Sequence, residues 1–426
     1  MNEDFLSFVW RYQYFDAANL HTETGEALQV LRIGHPNTDA GPDFAESRVL
    51  LDGMEWAGAV ELHVKSSDWE LHRHPGDAAY ESVILHVVWE DDRPVKRQDG
   101  TVIPTLVLEN RVKPAVRQRY ERLMESKAEI PCAPQFREVP RLQKISMLDR
   151  VLLERLDGKA ARVTELWKEN NRDWEETAYQ WLAQYFGFRL NAPTFLRLAQ
   201  IVPLKVLQKH RVSGLQIEAL LFGTSGLLPE ESEENYVQDL RREYQFLAAK
   251  YGLFSKKMAL TEWKFLRLRP AGFPTVRLAQ FATLLQTETG LFASLTTVEN
   301  VDNLRKMLRV SQSDYWKKHY QFGKEAAKTV PALGKDAADL LIINAAVPLL
   351  VAYARQRDQA DFLDRAVRWL EQLSGEKNNI TRAWADLGMR VGTAFDSQAL
   401  IEWHNAYCVK KRCLECTVGA ALVRPA

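Results

Sequence analysis

The chain has 426 residues, 46% apolar and 26% charged, and its 56 basic and 56 acidic side chains cancel to a net charge of zero. This composition excludes a disordered chain and leaves room for two or three domains. The opening Met1-Asn2-Glu3-Asp4 is acidic, which argues against a secretory signal, and the longest apolar run, 340–354, contains Asn344 and Pro348 and falls short of the ~20 residues of a spanning helix, so a cytoplasmic protein with no membrane partner is expected. The neutral total hides an asymmetry. Residues 1–110 hold 20 Asp/Glu against 8 Lys/Arg, a net of −12, and 6 of the 9 histidines, while the remaining residues hold 36 against 48, a net of +12. An acidic, His-rich module suits cations, and a basic remainder suits a polyanion or simple electrostatic docking of the two parts.

In chain order, Phe5, Phe8, Val9, Tyr12 and Phe15 recur at helical spacing and predict an opening helix packed on a sheet. Residues 28–33 read as a strand, and two more follow at about 44–51 and 56–65, joined by the turn Leu51-Asp52-Gly53. Ser66-Ser67-Asp68-Trp69 signals a helix start or turn, and His72-Arg73-His74-Pro75-Gly76-Asp77 a loop leading into a helical turn at 77–81. The apolar run 83–89 fits a buried strand, and 101–108 follows the turn at Asp99-Gly100. This order, α-β-β-β-α-β, closes a small mixed α/β domain near residue 110.

Chemistry gathers on two of these strands. In Val60-Glu61-Leu62-His63-Val64-Lys65 the apolar residues alternate with Glu61, His63 and Lys65, so a strand would bury the first set and present a carboxylate, an imidazole and an ammonium together. Asp43, in Gly41-Pro42-Asp43-Phe44, opens the neighbouring strand, and a hairpin between the two sets it beside Glu61. Two carboxylates so placed hold Mg²⁺ or Mn²⁺ against a phosphate, while a nearby cation or base orients water. Pro42-Asp43 followed by Glu61-x-His63 resembles the PD-(D/E)XK nuclease superfamily, in which Pro-Asp opens one strand and Glu-x-Lys lies on the next. The resemblance implies a metal-dependent nuclease acting on nucleic acid, DNA favoured over RNA, with Asp43 and Glu61 as metal ligands. The third role then falls to His63, which stands where the superfamily has its lysine, or to Lys65, two residues on. The histidines support a rival metal hydrolase. His72, His74 and Asp77 are spaced like ligands, His63 and His86 could join them, and imidazole suits Zn²⁺, Fe²⁺ or Mn²⁺.

From residue 112 the pattern turns helical, with segments at 112–128, 145–168, 174–188, 192–202 (stopped by Pro203), 235–251, 275–287, 337–356 and 361–373. The expected fold class is therefore α+β: a nuclease-like α/β domain over residues 1–110 and an irregular all-helical domain over 111–426 with no fixed repeat. Residues 263–277 interleave basic and aromatic side chains, making Arg267, Arg269 and Arg277 candidate nucleic-acid contacts; the alternative is a Pro-ended connector whose Trp and Phe side chains are core.

The four cysteines are Cys132 and, in a C-x4-C-x2-C segment, Cys408, Cys413 and Cys416. That segment is tight enough to share one ion or cluster, and Cys132 could complete a tetrahedral set around Zn²⁺ or an iron–sulfur cluster. Disulfides are the weaker explanation in a reducing cytoplasm. The arrangement is similar to CRISPR-associated and recombination nucleases of the PD-(D/E)XK type, which close the nuclease with three C-terminal cysteines and one distant cysteine around such a cluster. The order differs here, because Cys132 follows the nuclease-like motifs.

Over the whole chain, Gly41-Pro42-Asp43-Phe44, Val60-Glu61-x-His63, Ser67-Asp68-Trp69, Leu85-His86-Val87-Val88, Glu218-Ala219-Leu220-Leu221-Phe222-Gly223, Arg269-Pro270-x-x-Phe273-Pro274 and the cysteine segment resemble a bacterial family whose description is a domain of unknown function. That likeness carries no activity with it. Two readings follow from the residues: a metal-dependent nuclease whose helical part grips nucleic acid, and a non-enzymatic nucleic-acid or protein interaction module on a degenerate nuclease fold, which the Lys-to-His replacement favours.

Overall fold

Asn2 caps the first helix, α1 (Glu3–Arg11), by accepting the Phe5 N–H at 3.2 Å, and Phe5, Leu6, Phe8, Val9 and Trp10 form its buried side. The computed structural model describes residues 2–37 and 39–425. In it α1 packs against a seven-stranded sheet made of β1 (Leu20–His21), β2 (Ala27–Arg32), β3 (His35–Pro36), β4 (Phe44–Leu51), β5 (Met54–Lys65), β6 (Val83–Glu90) and β7 (Thr105–Val107). The order across the sheet is β1-β2-β4-β5-β6-β7, with β3 also on β4. Pairing is antiparallel from β1 to β5 and parallel from β5 to β7.

Local chemistry explains these connections. Asp52 and Gly53 join β4 to β5 with φ of 46° and 83°, the left-handed pair that a two-residue hairpin requires. A parallel partner needs a crossover instead, and residues 66–82 supply it, beginning with the short helix α2 (Asp68–Leu71). Gly58 lets the two parallel strands close up, since a Cβ there would sit 2.4 Å from the Ser82 carbonyl oxygen and 2.5 Å from Ile84 Cγ2. Because α1 and α2 both pack against β5, its residues Ala59 to His63 are buried on both faces. The alternation expected for a half-exposed strand is therefore absent just where the polar residues lie, and Glu61 and His63 are core side chains.

The chain divides into two units elsewhere than at residue 110. The first is Met1–Asp149 with Asp386–Gly388 and Ile401–Ala426, and the second is Arg150–Ala385 with Met389–Leu400. Helix α3 (Pro114–Glu125) belongs with the sheet because Tyr120 stacks on Phe5 at 4.7 Å and donates its hydroxyl to Asn2 at 2.7 Å. The C-terminal segment joins the same unit, with Arg119 donating to the Arg424 carbonyl at 2.6 Å and Thr417 to the Gln143 carbonyl at 2.8 Å. Helical periodicity announces a helix and not the unit it will join.

After α4 (Arg141–Glu169), the second unit is helical: α5 (Trp174–Phe186), α6 (Phe188–Ile201), α7 (Leu204–Lys209), α8 (Gly214–Thr224), α9 (Asn235–Tyr251), α10 (Pro274–Thr287) and further helices to residue 400. Sequence periodicity finds most of these but not α8, where Ile217 to Thr224 are all buried and no polar face marks the period. The apolar run expected to be too short for a membrane is part of an unbroken helix, Lys335–Arg357, because a π turn at Ile342–Ala346 carries the backbone past Asn344. That helix is long and apolar enough to cross a membrane. Its apolar window is 78% buried within the chain, as the window of a core helix is.

Candidate metal centre

Gly41, with φ of 114°, turns the chain into Pro42 and delivers Asp43 to the start of β4. The register pairs Phe44 with Val60, so Asp43 lies beside Glu61. Each carboxylate is clasped by the other strand's backbone: the Asp43 N–H donates to Glu61 Oε2 at 3.0 Å, and the Leu62 N–H donates to Asp43 Oδ2 at 3.0 Å. Burial pushes the Asp43 carboxyl up to about 6, against the pull of the Leu62 N–H. Burial pushes Glu61 up to about 8, and the Asp43 charge adds to the rise. Glu3 at the start of α1, itself raised by burial, repels both.

Four imidazoles meet these acids. His63 on β5 contacts His86 on β6 through Nδ1 at 2.8 Å, and its Nε2 lies 3.1 Å from His72 Nδ1 and 3.3 Å from His74 Nε2. Glu61 Oε1 is 3.3 Å from His74 Nε2 and 3.7 Å from His63 Nε2. The short α2 and a left-handed Arg73 (φ 63°) aim His72 and His74 at the same point. Trp69, buried at the base of this loop, faces His63, His74 and His86 edge to face, and Tyr80 stacks on His74 with ring centroids 3.8 Å apart. Burial lowers the pKa of His63 far below the usual imidazole range, with His86, His74 and His72 adding to it, and takes His74 down to about 4 and His86 down to about 3. These three rings are neutral at pH 7 and keep lone pairs.

A neutral imidazole has one N–H and one lone pair. If His63 Nδ1–H donates to His86 Nε2, His63 Nε2 presents its lone pair to His72, His74 and Glu61. His86 then carries its hydrogen on Nδ1, a buried atom with no hydrogen-bond partner among the described residues. One ligand nitrogen each from His63, His72 and His74 lie within 4.8 Å of one another, with a carboxylate oxygen beside them. This donor set fits a first-row transition metal better than Mg²⁺, which prefers oxygen ligands.

Other candidate residues lie elsewhere. Lys65 is exposed at the end of β5, with its ammonium 3.6 Å from Glu90. Asp77 accepts the Ala79 N–H at 3.0 Å and so caps the turn that follows it. In the second unit Arg267 and Arg269 are exposed, whereas Arg277 is not a surface cation: the first turn of α10 is buried, and its guanidinium lies 4.6 Å over the Phe188 ring and donates to Gln280 at 2.9 Å. Trp263 is core, donating its indole N–H to the Ser225 carbonyl at 2.8 Å. Cys132, Cys408, Cys413 and Cys416 are all buried free thiols of the first unit. Glu3 escaped sequence reasoning because it sits in a helix first turn, where an acid has an ordinary reason to be.

The family model described as "Protein of unknown function (DUF2851)" matches residues 3–379. The chain belongs to this family. The matched region contains Glu3, Asp43, Glu61, the four histidines of the centre and Cys132, and it ends before the other three cysteines. No curated protein and no solved structure matches the chain.

Proposed function

We propose that this protein is a metal-dependent nuclease whose centre consists of Asp43, Glu61, His63, His72 and His74. The observation that carries the reading is the mutual clasp of Asp43 and Glu61 beside three converging imidazoles. The element order α1-β2-β4-β5-α2-β6, with Pro42-Asp43 opening β4 and Glu61-x-His63 on β5, supports a PD-(D/E)XK-like module. A bound divalent cation supplies Lewis-acid charge to a phosphodiester. Asp43 and Glu61 would hold it through oxygen, Glu61 releasing the proton that burial favours, His63 and His74 would offer neutral nitrogens, His86 holds the His63 ring, and the more exposed His72 and Asp43 mark the side open to substrate. Mn²⁺ suits this mixture of oxygen and nitrogen donors, and Mg²⁺ should serve less well. Nucleic acid, with DNA ahead of RNA, is the proposed substrate, and the exposed Arg267 and Arg269 of the second unit are proposed phosphate contacts.

The test is hydrolysis of single- and double-stranded DNA and RNA by the purified chain with Mn²⁺, Mg²⁺ or Zn²⁺. Cleavage should require metal, be best with Mn²⁺ and vanish in Asp43→Ala and Glu61→Ala. Full activity in both variants, or no cleavage with any of the three metals, would remove the proposal. Two observations favour a second reading, a metal-binding module without catalysis: Lys65 is engaged with Glu90, and a histidine stands at the usual lysine position. Metal binding without hydrolysis of any of these substrates would select it.

A further inference from the structure

All four cysteines of the 426-residue chain are buried in the first unit, although Cys132 is far from the other three in sequence. Burial of one free thiol is ordinary. Gathering of every cysteine of the chain in one unit, three of them between positions 408 and 416, is not. Cys132 precedes a 3-10 turn, Ala133–Glu138, whose Phe136 packs on Trp403 with ring centroids 6.2 Å apart. Trp403 begins a π-helical turn, Trp403–Cys408, and its indole N–H donates to Cys416 Sγ at 3.3 Å, the contact that steadies a thiolate. Lys411 donates to the Met124 carbonyl, tying the loop between Cys408 and Cys413 to the end of α3. Gly419 allows the last helix to lie on Cys413, since a Cβ there would meet the Cys413 carbonyl oxygen at 2.1 Å.

From these contacts between the segments that carry them, we propose that Cys132, Cys408, Cys413 and Cys416 hold one thiophilic metal centre, either Zn²⁺ or an iron–sulfur cluster, that fastens the C-terminal segment to the segment around Cys132. Electrostatics agrees with the geometry. Burial pushes Cys132 and Cys413 up to about 12 and Cys408 higher still, and the charges of neighbouring cysteines add to the rise. Taking up the centre releases the thiol protons to solvent and leaves a net negative site. The charges of Lys144 and Lys411 act against the rise at Cys132 and Cys413 respectively.

The test counts metal in the full chain carrying Glu61→Ala, which takes the carboxylate from the other centre, and the loss of metal on a cysteine substitution in that chain separates this proposal from the nuclease reading. After anaerobic purification under reducing conditions, elemental analysis should find close to one colourless Zn²⁺ per chain, or iron with inorganic sulfide and a broad visible absorption. Cys413→Ser should lose at least half of that metal and melt at lower temperature. If that variant does not fold, the thiols of the Glu61→Ala chain serve instead: alkylation should be slow as purified and fast once a strong chelator has removed the metal. Well under one metal per chain, a Cys413→Ser variant that keeps its metal, alkylation indifferent to the chelator, or a disulfide between these cysteines by mass spectrometry would overturn the proposal.

Discussion

Two buried glutamates, one in each unit, make an informative pair. Burial raises both, Glu61 up to about 8 and Glu218 up to about 7. Around Glu218 each oxygen receives a neutral hydroxyl, from Ser313 at 2.7 Å and from Tyr236 at 2.9 Å, and Tyr236 in turn accepts the Trp316 indole N–H at 2.9 Å. Around Glu61 one oxygen receives a backbone N–H, while the other faces two imidazole nitrogens, and the nearest acid is Asp43. A buried carboxylate met by donors on both oxygens steadies its surroundings, whereas one set against a second acid and lone-pair nitrogens is costly until a cation arrives. The first is built for stability and the second for binding.

Substitutions should separate the two. The largest effect expected is on chemistry: Asp43→Ala or Glu61→Ala should lower metal-dependent hydrolysis on the order of 10²-fold or more, the scale of losing electrostatic stabilisation at a reacting centre. The metal-free melting temperature of these variants should fall less than that of Glu218→Ala, because removing an unfavourable carboxylate contact offsets the backbone N–H left without its acceptor. Glu218→Ala should do the reverse. It strands the Ser313 and Tyr236 hydroxyls and leaves a small void, so denaturant unfolding should register a loss of roughly 2–4 kcal/mol with hydrolysis per folded molecule unchanged. If Glu61→Ala destabilises the metal-free chain as much as Glu218→Ala does, the distinction between the two sites fails.

How far this contrast was legible in the sequence follows from how local each part is. Asp43 and Glu61 are neighbours across a hairpin whose turn, Asp52-Gly53, is visible by eye, so their pairing could be anticipated. The convergence of His72 and His74 on His63 depends on the backbone of Arg73 and on a crossover fixed by parallel pairing, which alternation cannot reveal. Lys65 shares the strand face of Glu61, yet it lies where β5 leaves the core, and Glu90 at the matching position of β6 takes its charge. Arg277 shows the same limit, since a cation read from a basic segment can lie over an aromatic ring inside. Glu218 sits in α8, which has no polar face to mark it as a helix, so its hydroxyl partners could not be foreseen.

Smaller effects sharpen the comparison through pH. Glu218 is raised from 4.5 to about 7 in the fold, so its contribution to stability is fully present below 4.5 and is lost as pH rises through 7. Glu218→Gln cannot ionise. Melting curves should therefore show the variant more stable than the parent at pH 8, by about 1–3 kcal/mol, with the difference shrinking toward pH 5. A constant offset across that range would mean that Glu218 titrates normally. The smallest change should come from Lys65→Ala, which breaks a half-exposed pair and should cost under ~1 kcal/mol by denaturant unfolding while leaving Mn²⁺ affinity at the parental value. His63→Ala, in contrast, should weaken Mn²⁺ binding at least tenfold, and a Lys65→Ala variant that binds worse than His63→Ala would reassign the third position.

The central claim is that the clasped acids and the converging imidazoles form one cation site, and Mn²⁺ titration followed by electron paramagnetic resonance tests it most directly, because Mn²⁺ has little affinity for thiolates. The parent chain should bind one Mn²⁺ tightly at pH 7.5, and Glu61→Ala and His63→Ala should each lose that ion while remaining folded. Undiminished binding in both variants, or a parent chain that binds no Mn²⁺, would contradict the account.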